Sequence, residues 1–108
     1  MKKYVETYNA QVGFHKYPNA PEFCHYLSHT HRHVFTIRCS FEVSDNDREV
    51  EINQRQLEIE QFLQKKFGNP CQFGGMSCED IAELVMGEFH AHKVTVKEDD
   101  YGGATFTE

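Results

Sequence analysis

A strongly β-prone run from His31 to Val43 constrains the fold more than any other feature of this chain. Apolar residues alternate with polar ones along it, which is the pattern of a strand that buries one face. The residues of that face are His31, His33, Phe35, Ile37, Cys39, Phe41 and Val43. His31 and His33 therefore present two imidazoles side by side at the end of a buried sheet face. This geometry predicts a metal site.

A third metal ligand must come from another strand. His29 cannot supply it, because residues four apart on a strand are separated by about 13 Å, whereas a metal binds its ligands at about 2 Å. The best candidate is His15, which follows the strand-like run Tyr4 to Phe14. The more apolar side of that run holds Tyr4, Tyr8, Ala10, Val12 and Phe14. His15 has the opposite parity, so we expect it to join the site only if Gly13 marks a β-bulge.

Two readings of these histidines remain open from the residues alone. Each could be an ordinary surface or loop histidine. As a set of three they favour Zn²⁺, which neutral imidazoles bind well, and they would leave a fourth coordination position for substrate or water. The second reading predicts a catalytic rather than a structural metal.

The remaining periodicity predicts two helices and two more strands. Asn53, with Gln56 three residues later, has the pattern of a capping box that begins the first helix, and residues 68–70 end it. Ser77 and Asp80 cap the second helix, which ends near residues 87–90. The expected inward residues are Ile59, Phe62, Leu63 and Phe67 in the first helix and Ile81, Leu84 and Val85 in the second. Residues 16–30 are expected to form a loop.

Two further strands, Lys93 to Glu98 and Gly103 to Thr107, complete the order ββααββ. We therefore predict an α+β fold in which a four-stranded antiparallel sheet carries two helices on one face. A chain of 108 residues suffices for one domain with a single core.

Charge and composition limit the classes of partner. The formal net charge of −6 argues against a general affinity for nucleic acid or for an anionic membrane. No segment approaches membrane-spanning length, and the basic start at Lys2 and Lys3 is not followed by an apolar stretch, so a cytoplasmic protein is expected. The four cysteines form no Cys-x-x-Cys pair and are expected to be thiols.

A histidine at the end of strand one (His15) and a His-x-His pair at the start of strand two (His31 and His33) resemble the 6-pyruvoyltetrahydropterin synthase and 6-carboxytetrahydropterin synthase family. The resemblance extends along nearly the whole chain and implies a single tunnelling-fold (T-fold) domain over residues 1–108. It implies that the three histidines bind zinc. It also implies that Glu98 grips the guanidine-like edge of a pterin, a role for which a carboxylate suits because it accepts two parallel N–H bonds.

The resemblance extends to other site residues. Ser77 and Glu79 resemble a Thr and Glu segment of the family that lies near the substrate. Cys24 precedes His31 by seven positions, whereas the family's catalytic cysteine precedes its His-x-His pair by four to six. The family's Asp-His dyad has no counterpart in residues 67–75, so proton transfer is expected to fall to Cys24, Cys78 or His25. A helix N-terminus favours a thiolate at Cys78.

The function expected from the resemblance is that of a zinc-dependent synthase or lyase acting on a pterin or a deazapurine precursor. Two alternatives stay open: a non-catalytic module that binds a pterin or purine, and a structural member of an oligomeric assembly. A homo-oligomer, a trimer or hexamer by resemblance, is expected because an open sheet leaves two unpaired edges.

Overall fold

The structure is a computed structural model that describes residues 1–108. Its elements, in chain order, are β1 (Lys3–His15), a 3-10 helix (Glu22–Ser28), β2 (His31–Val43), α1 (Ile52–Phe67), β3 (Cys71–Gly74), α2 (Cys78–Phe89), β4 (Lys93–Glu98) and β5 (Gly102–Thr107). This order confirms the α+β class. No helix has both the length and the apolar character needed to cross a membrane.

The sheet has five strands in the order β3-β1-β2-β4-β5, so the predicted four-stranded antiparallel sheet is wrong. Four strands pair antiparallel as expected, but β3 pairs parallel with β1 at one edge. The sequence predicts no strand between the two helices, but residues 71–74 form one that buries Cys71 and Phe73. Its parallel pairing with the distant β1 leaves no local signal in the sequence.

The core lies between the sheet and the two α-helices. Its strand residues are those of the predicted β2 face, from Phe35 to Phe41, together with Val94 and Val96 of β4. The helices contribute Ile59 and Leu63 from α1 and Ile81, Ala82 and Val85 from α2. The predicted inward stripes are thus largely confirmed, although Phe62, Phe67 and Leu84 are only partly buried.

The burial of β1 is the reverse of the sequence expectation. Its polar residues Thr7, Asn9 and Gln11 are buried against α1, whereas Tyr4 and Tyr8 are exposed on the opposite face. Hydrogen bonds compensate for part of this polar burial: the Asn9 amide donates to the backbone carbonyl of Gln56, and the Gln64 amide donates to Gln11. Thr7 Oγ1 and Asn9 Oδ1 have no partner. His15 therefore points to the helix side without a bulge against β2, where the register is continuous.

Two local predictions also need correction. Helix α1 is capped by Glu51, whose carboxylate accepts hydrogen bonds from the backbone N–H groups of Asn53 and Gln54, and not by Asn53. Gln56 does not close a capping box; its side chain accepts a hydrogen bond from the backbone N–H of Tyr8 instead. The expected loop of residues 16–30 contains the short 3-10 helix. The capping box of Ser77 and Asp80 on α2 is confirmed.

Candidate metal centre

The strand register brings the three predicted histidines together. His15 at the end of β1 is paired directly with His31 at the start of β2, and His33 is paired with Gly13. The absence of a side chain at Gly13 lets the Phe73 ring pack against the strand there. One ligand atom of each histidine lies within 4.8 Å of those of the other two. His15, His31 and His33 are therefore close enough to bind one metal ion.

Each imidazole is oriented by a hydrogen bond at Nδ1. The acceptors are the carbonyl oxygen of Met76 for His15 (2.9 Å), the carbonyl oxygen of His29 for His31 (2.8 Å) and Oδ2 of Asp99 for His33 (2.7 Å). A carbonyl or carboxylate oxygen can only accept, so each Nδ1 carries the hydrogen. Nε2 is then left with a lone pair, which is the arrangement of histidines that bind a metal through Nε2.

The Nε2 atoms of His15 and His33 are buried and have no hydrogen-bond partner. They face the Glu98 carboxylate, with His15 Nε2 lying 3.1 Å from Oε1 and His33 Nε2 lying 3.4 Å from Oε2. In the tautomers fixed at Nδ1, these contacts bring acceptors against acceptors. Buried polar atoms are rarely left unsatisfied, so the two Nε2 lone pairs are available to a metal ion bound at the histidines.

Burial lowers the pKa of His15 below its ordinary value of 6.5. The neighbouring imidazoles of His31 and His33 act in the same direction, whereas the hydrogen bond to Met76 and the charge of Glu98 oppose it. His15 is therefore held in the neutral form at pH 7, and the neutral imidazole is the form that binds a metal.

A cavity of about 610 Å³ opens beside the histidines. Among the residues that line it are His15, His31, Ser77, Cys78, Glu79 and Glu98. These include all three residues predicted to bind substrate. The volume lies within the range of small-molecule sites, which is roughly 300–1,000 Å³.

The structure places the three predicted proton carriers, Cys24, Cys78 and His25, in different surroundings. Cys78 lines the cavity, and its thiol donates a long hydrogen bond to Glu98 Oε1 (3.5 Å). Cys24 is buried in the 3-10 helix, and the His25 ring contacts the carbonyl oxygen of Ala20 (3.3 Å); neither lines the cavity. Only Cys78 of the three is thus beside the predicted substrate residues.

The thiolate expected at Cys78 is not supported. Burial, followed by the negative charge of Glu98, raises the pKa of this thiol to about 12. The opposing influence of the α2 N-terminus is therefore outweighed, and Cys78 stays protonated at pH 7. It is a hydrogen-bond donor beside Glu98 rather than a ready nucleophile.

The sequence analysis does not identify Asp99 as a residue of the site. Its carboxylate contacts both His33 and the backbone N–H of Val34. The pairing of β2 with β4 brings Asp99 beside Val34, and this register could not be read from the local sequence. The role of the His29 carbonyl toward His31 was also missed, since only the exposed side chain was considered.

No protein-family model matches this chain, and no curated protein matches it significantly in sequence. Fold and site together define an α+β protein in which three histidines at one end of a five-stranded sheet can bind a metal ion beside a cavity.

Proposed function

We propose that this protein is a zinc-dependent synthase or lyase of the tunnelling-fold type that acts on a pterin or a deazapurine precursor. The observation that carries the proposal is the convergence of the histidines. Two buried Nε2 atoms without hydrogen-bond partners point to one place beside the cavity, and each Nδ1 is already bound to an acceptor.

Zinc fits this donor set better than a harder cation. Neutral imidazoles are good ligands for Zn²⁺, whereas Mg²⁺ and Ca²⁺ prefer oxygen ligands. Three protein ligands leave one position open, which is typical of catalytic zinc. A bound zinc ion would polarise side-chain oxygens of the substrate at that position.

Glu98 supplies the recognition of the substrate. Its carboxylate, about one third exposed, lines the cavity between the histidines and Cys78. A carboxylate accepts two parallel N–H bonds from an aminopyrimidine edge, which pterins and deazapurines carry. Ser77 and Glu79 at the start of α2 line the same wall and offer further polar contacts to the ring. The resemblance of the sequence to the pterin synthases agrees with this assignment.

Proton transfer within the cavity falls to Cys78. It is the only one of the three predicted proton carriers that lines the cavity, and its hydrogen bond to Glu98 would place it beside a ring held by that carboxylate. The raised pKa makes the thiol a weak acid, so the chemistry expected is slow. Carbon–oxygen or carbon–carbon bond cleavage in the substrate side chain is the expected outcome.

A non-catalytic pterin-binding or purine-binding module is the second candidate function. It is favoured by the position of the proton carriers, since Cys24 and His25 lie outside the cavity. It is favoured also by residues 67–75, which lack the Asp-His dyad that the resembling family carries.

Metal analysis tests the site directly. We expect about one zinc ion per chain after loading and dialysis, and loss of that zinc in His33→Ala. His29→Ala is the matched control, because it removes an exposed imidazole and keeps the carbonyl that orients His31. Zinc retained by His33→Ala, or lost from His29→Ala alone, would contradict the site.

Turnover separates the two candidate functions. The zinc-loaded protein is incubated with 7,8-dihydroneopterin triphosphate, and both product and bound ligand are followed. Product formation that falls in Cys78→Ala supports the synthase or lyase. Ligand bound without product supports the binding module, and neither binding nor turnover would refute both.

A further inference from the structure

Three hydrogen bonds fix Asp99 against the start of β2. Its Oδ2 accepts from His33 Nδ1 at 2.7 Å, and its Oδ1 accepts from the backbone N–H of Val34 at 2.7 Å. Its own backbone N–H donates to the carbonyl oxygen of Val34 at 2.8 Å. Both carboxylate oxygens are therefore used, and the side chain has no freedom to turn away from His33 without losing two bonds.

The turn between β4 and β5 is built to hold this position. Asp99 and Asp100 both have left-handed backbone conformations, with φ of 53° and 56°, which aspartate tolerates better than most residues. Asp100 Oδ1 accepts a hydrogen bond from the hydroxyl of Thr36 at 3.0 Å. The turn is thus tied to β2 by side chains on two consecutive residues.

His33 differs from the other two histidines in the charge of its partner. His15 and His31 donate to neutral backbone carbonyls, whereas His33 donates to a carboxylate. A hydrogen bond to an ionised acceptor is roughly twice as strong as a neutral one.

We propose that Asp99 is a positioning residue of the metal centre that fixes the tautomer of His33 and the orientation of its ring toward the metal. The inference rests on the proposed function, because it assumes a metal at the three histidines. With the hydrogen held at Nδ1, the Nε2 lone pair of His33 points permanently into the site. Loss of such an outer partner typically costs about 10 to 100-fold in metal affinity.

Asp99→Asn is the sharpest substitution. An asparagine can still accept the Val34 N–H bond through its oxygen, but its NH₂ group then faces His33 Nδ1. Two donors cannot share that contact, so the imidazole shifts its hydrogen to Nε2 and presents the wrong atom to the metal. Asp99→Ala leaves Nδ1–H to solvent and should cost less than Asp99→Asn. If Asp99 only stabilised the fold, Asp99→Ala would cost more zinc affinity than Asp99→Asn, because alanine removes both side-chain hydrogen bonds.

The experiment compares zinc affinity in wild type, Asp99→Asn, Asp99→Ala and Asp100→Asn by competition with a chromophoric chelator. Asp100→Asn is the matched control in the same turn, without a contact to His33. We expect a loss of about 10 to 100-fold in Asp99→Asn, a smaller loss in Asp99→Ala and no change in the control. Long-range ¹H–¹⁵N spectra of the metal-free protein should show His33 protonated at Nδ1 in wild type and at Nε2 in Asp99→Asn.

The outcomes distinguish this inference from the proposed function. Wild-type protein that binds zinc at the histidines while Asp99→Asn binds it within twofold would overturn the role of Asp99 alone. The role of Asp99 would also be overturned if His33 keeps its Nδ1 hydrogen in Asp99→Asn. Wild-type protein that binds no zinc would overturn the metal centre and this inference together.

Discussion

Glu98 occupies the junction between the histidines and the cavity. Its two oxygens lie within 3.4 Å of His15 and His33, and one of them also accepts the Cys78 thiol hydrogen. Glu98 therefore lies between the histidines and the thiol on the wall of the cavity, where it can contact a bound substrate.

Replacing Glu98 by glutamine should weaken ligand binding and spare the metal. We expect a loss of about 1.5–3 kcal/mol in the binding of a pterin, the range for a hydrogen bond to a charged group, because the amide accepts at only one of its two atoms. Calorimetric titration with a pterin measures the binding, and metal analysis checks the zinc. Glu83→Gln is the control, since Glu83 is exposed on α2 and does not line the cavity. Equal losses in both variants would contradict the specific role of Glu98.

The lowered pKa of His15 predicts a dependence of stability on pH. As pH falls below 6.5, the unfolded chain takes up a proton that the folded chain binds only at lower pH, so stability is lost. His15→Gln removes this loss, and the glutamine amide can still donate to Met76. We expect the melting temperature of the metal-free protein to drop more in wild type than in His15→Gln between pH 7.5 and pH 5.5. A drop of equal size in both would show that His15 does not contribute.

Among the helices and strands, hydrophobic periodicity predicted the faces that are buried by apolar packing. It did not predict the features that depend on pairing with residues distant in sequence. The β2 face and the α2 capping box followed from local patterns, because burial against helices and backbone capping leave local signals. The buried polar side of β1 did not, because it depends on hydrogen bonds to Gln56 and Gln64 of a distant helix. The three histidines were predicted from sequence and the contact of Asp99 was not, for the same reason.

The hairpin of β4 and β5 offers a matched pair of glycines. A methyl group at Gly103 would overlap the backbone of Val96 and Lys97, whereas one at Gly102 would meet open space. We expect Gly103→Ala to lower the free energy of unfolding by about 1–3 kcal/mol, as overpacking does, and Gly102→Ala to leave it nearly unchanged. Chemical denaturation measures both. Equal stability of the two variants would show that β5 does not lie against β4 as described.

At the scale of the whole molecule, one face and two edges of the sheet lack partners. The helices cover one face, and the other exposes Tyr4 and Tyr8, the latter to 44%. Strand β5 forms one edge of the sheet with all of its outer backbone groups unpaired, and β3 at the other edge is only four residues long. An exposed strand edge is a template for pairing with another chain. We therefore propose that copies of this chain associate edge to edge in a closed homo-oligomer, a trimer or hexamer by the resemblance of the sequence.

Sedimentation velocity at micromolar concentration should show this oligomer, and a proline in β5 should weaken it. Successive backbone N–H groups of β5 point alternately toward β4 and toward the open edge of the sheet. The N–H of Glu108 donates to the carbonyl oxygen of His92, on the β4 side. The N–H of Thr105, three residues earlier, therefore points toward the open edge. Thr105→Pro thus removes an outward donor and keeps the pairing with β4, whereas Ala104→Pro breaks that pairing and serves as the control for misfolding. We expect Thr105→Pro to sediment as a smaller species with its helices and strands intact by circular dichroism. A stable, well-folded monomer of the wild-type chain would contradict the edge-to-edge assembly, because then the open edges of β5 and β3 need no partner strand.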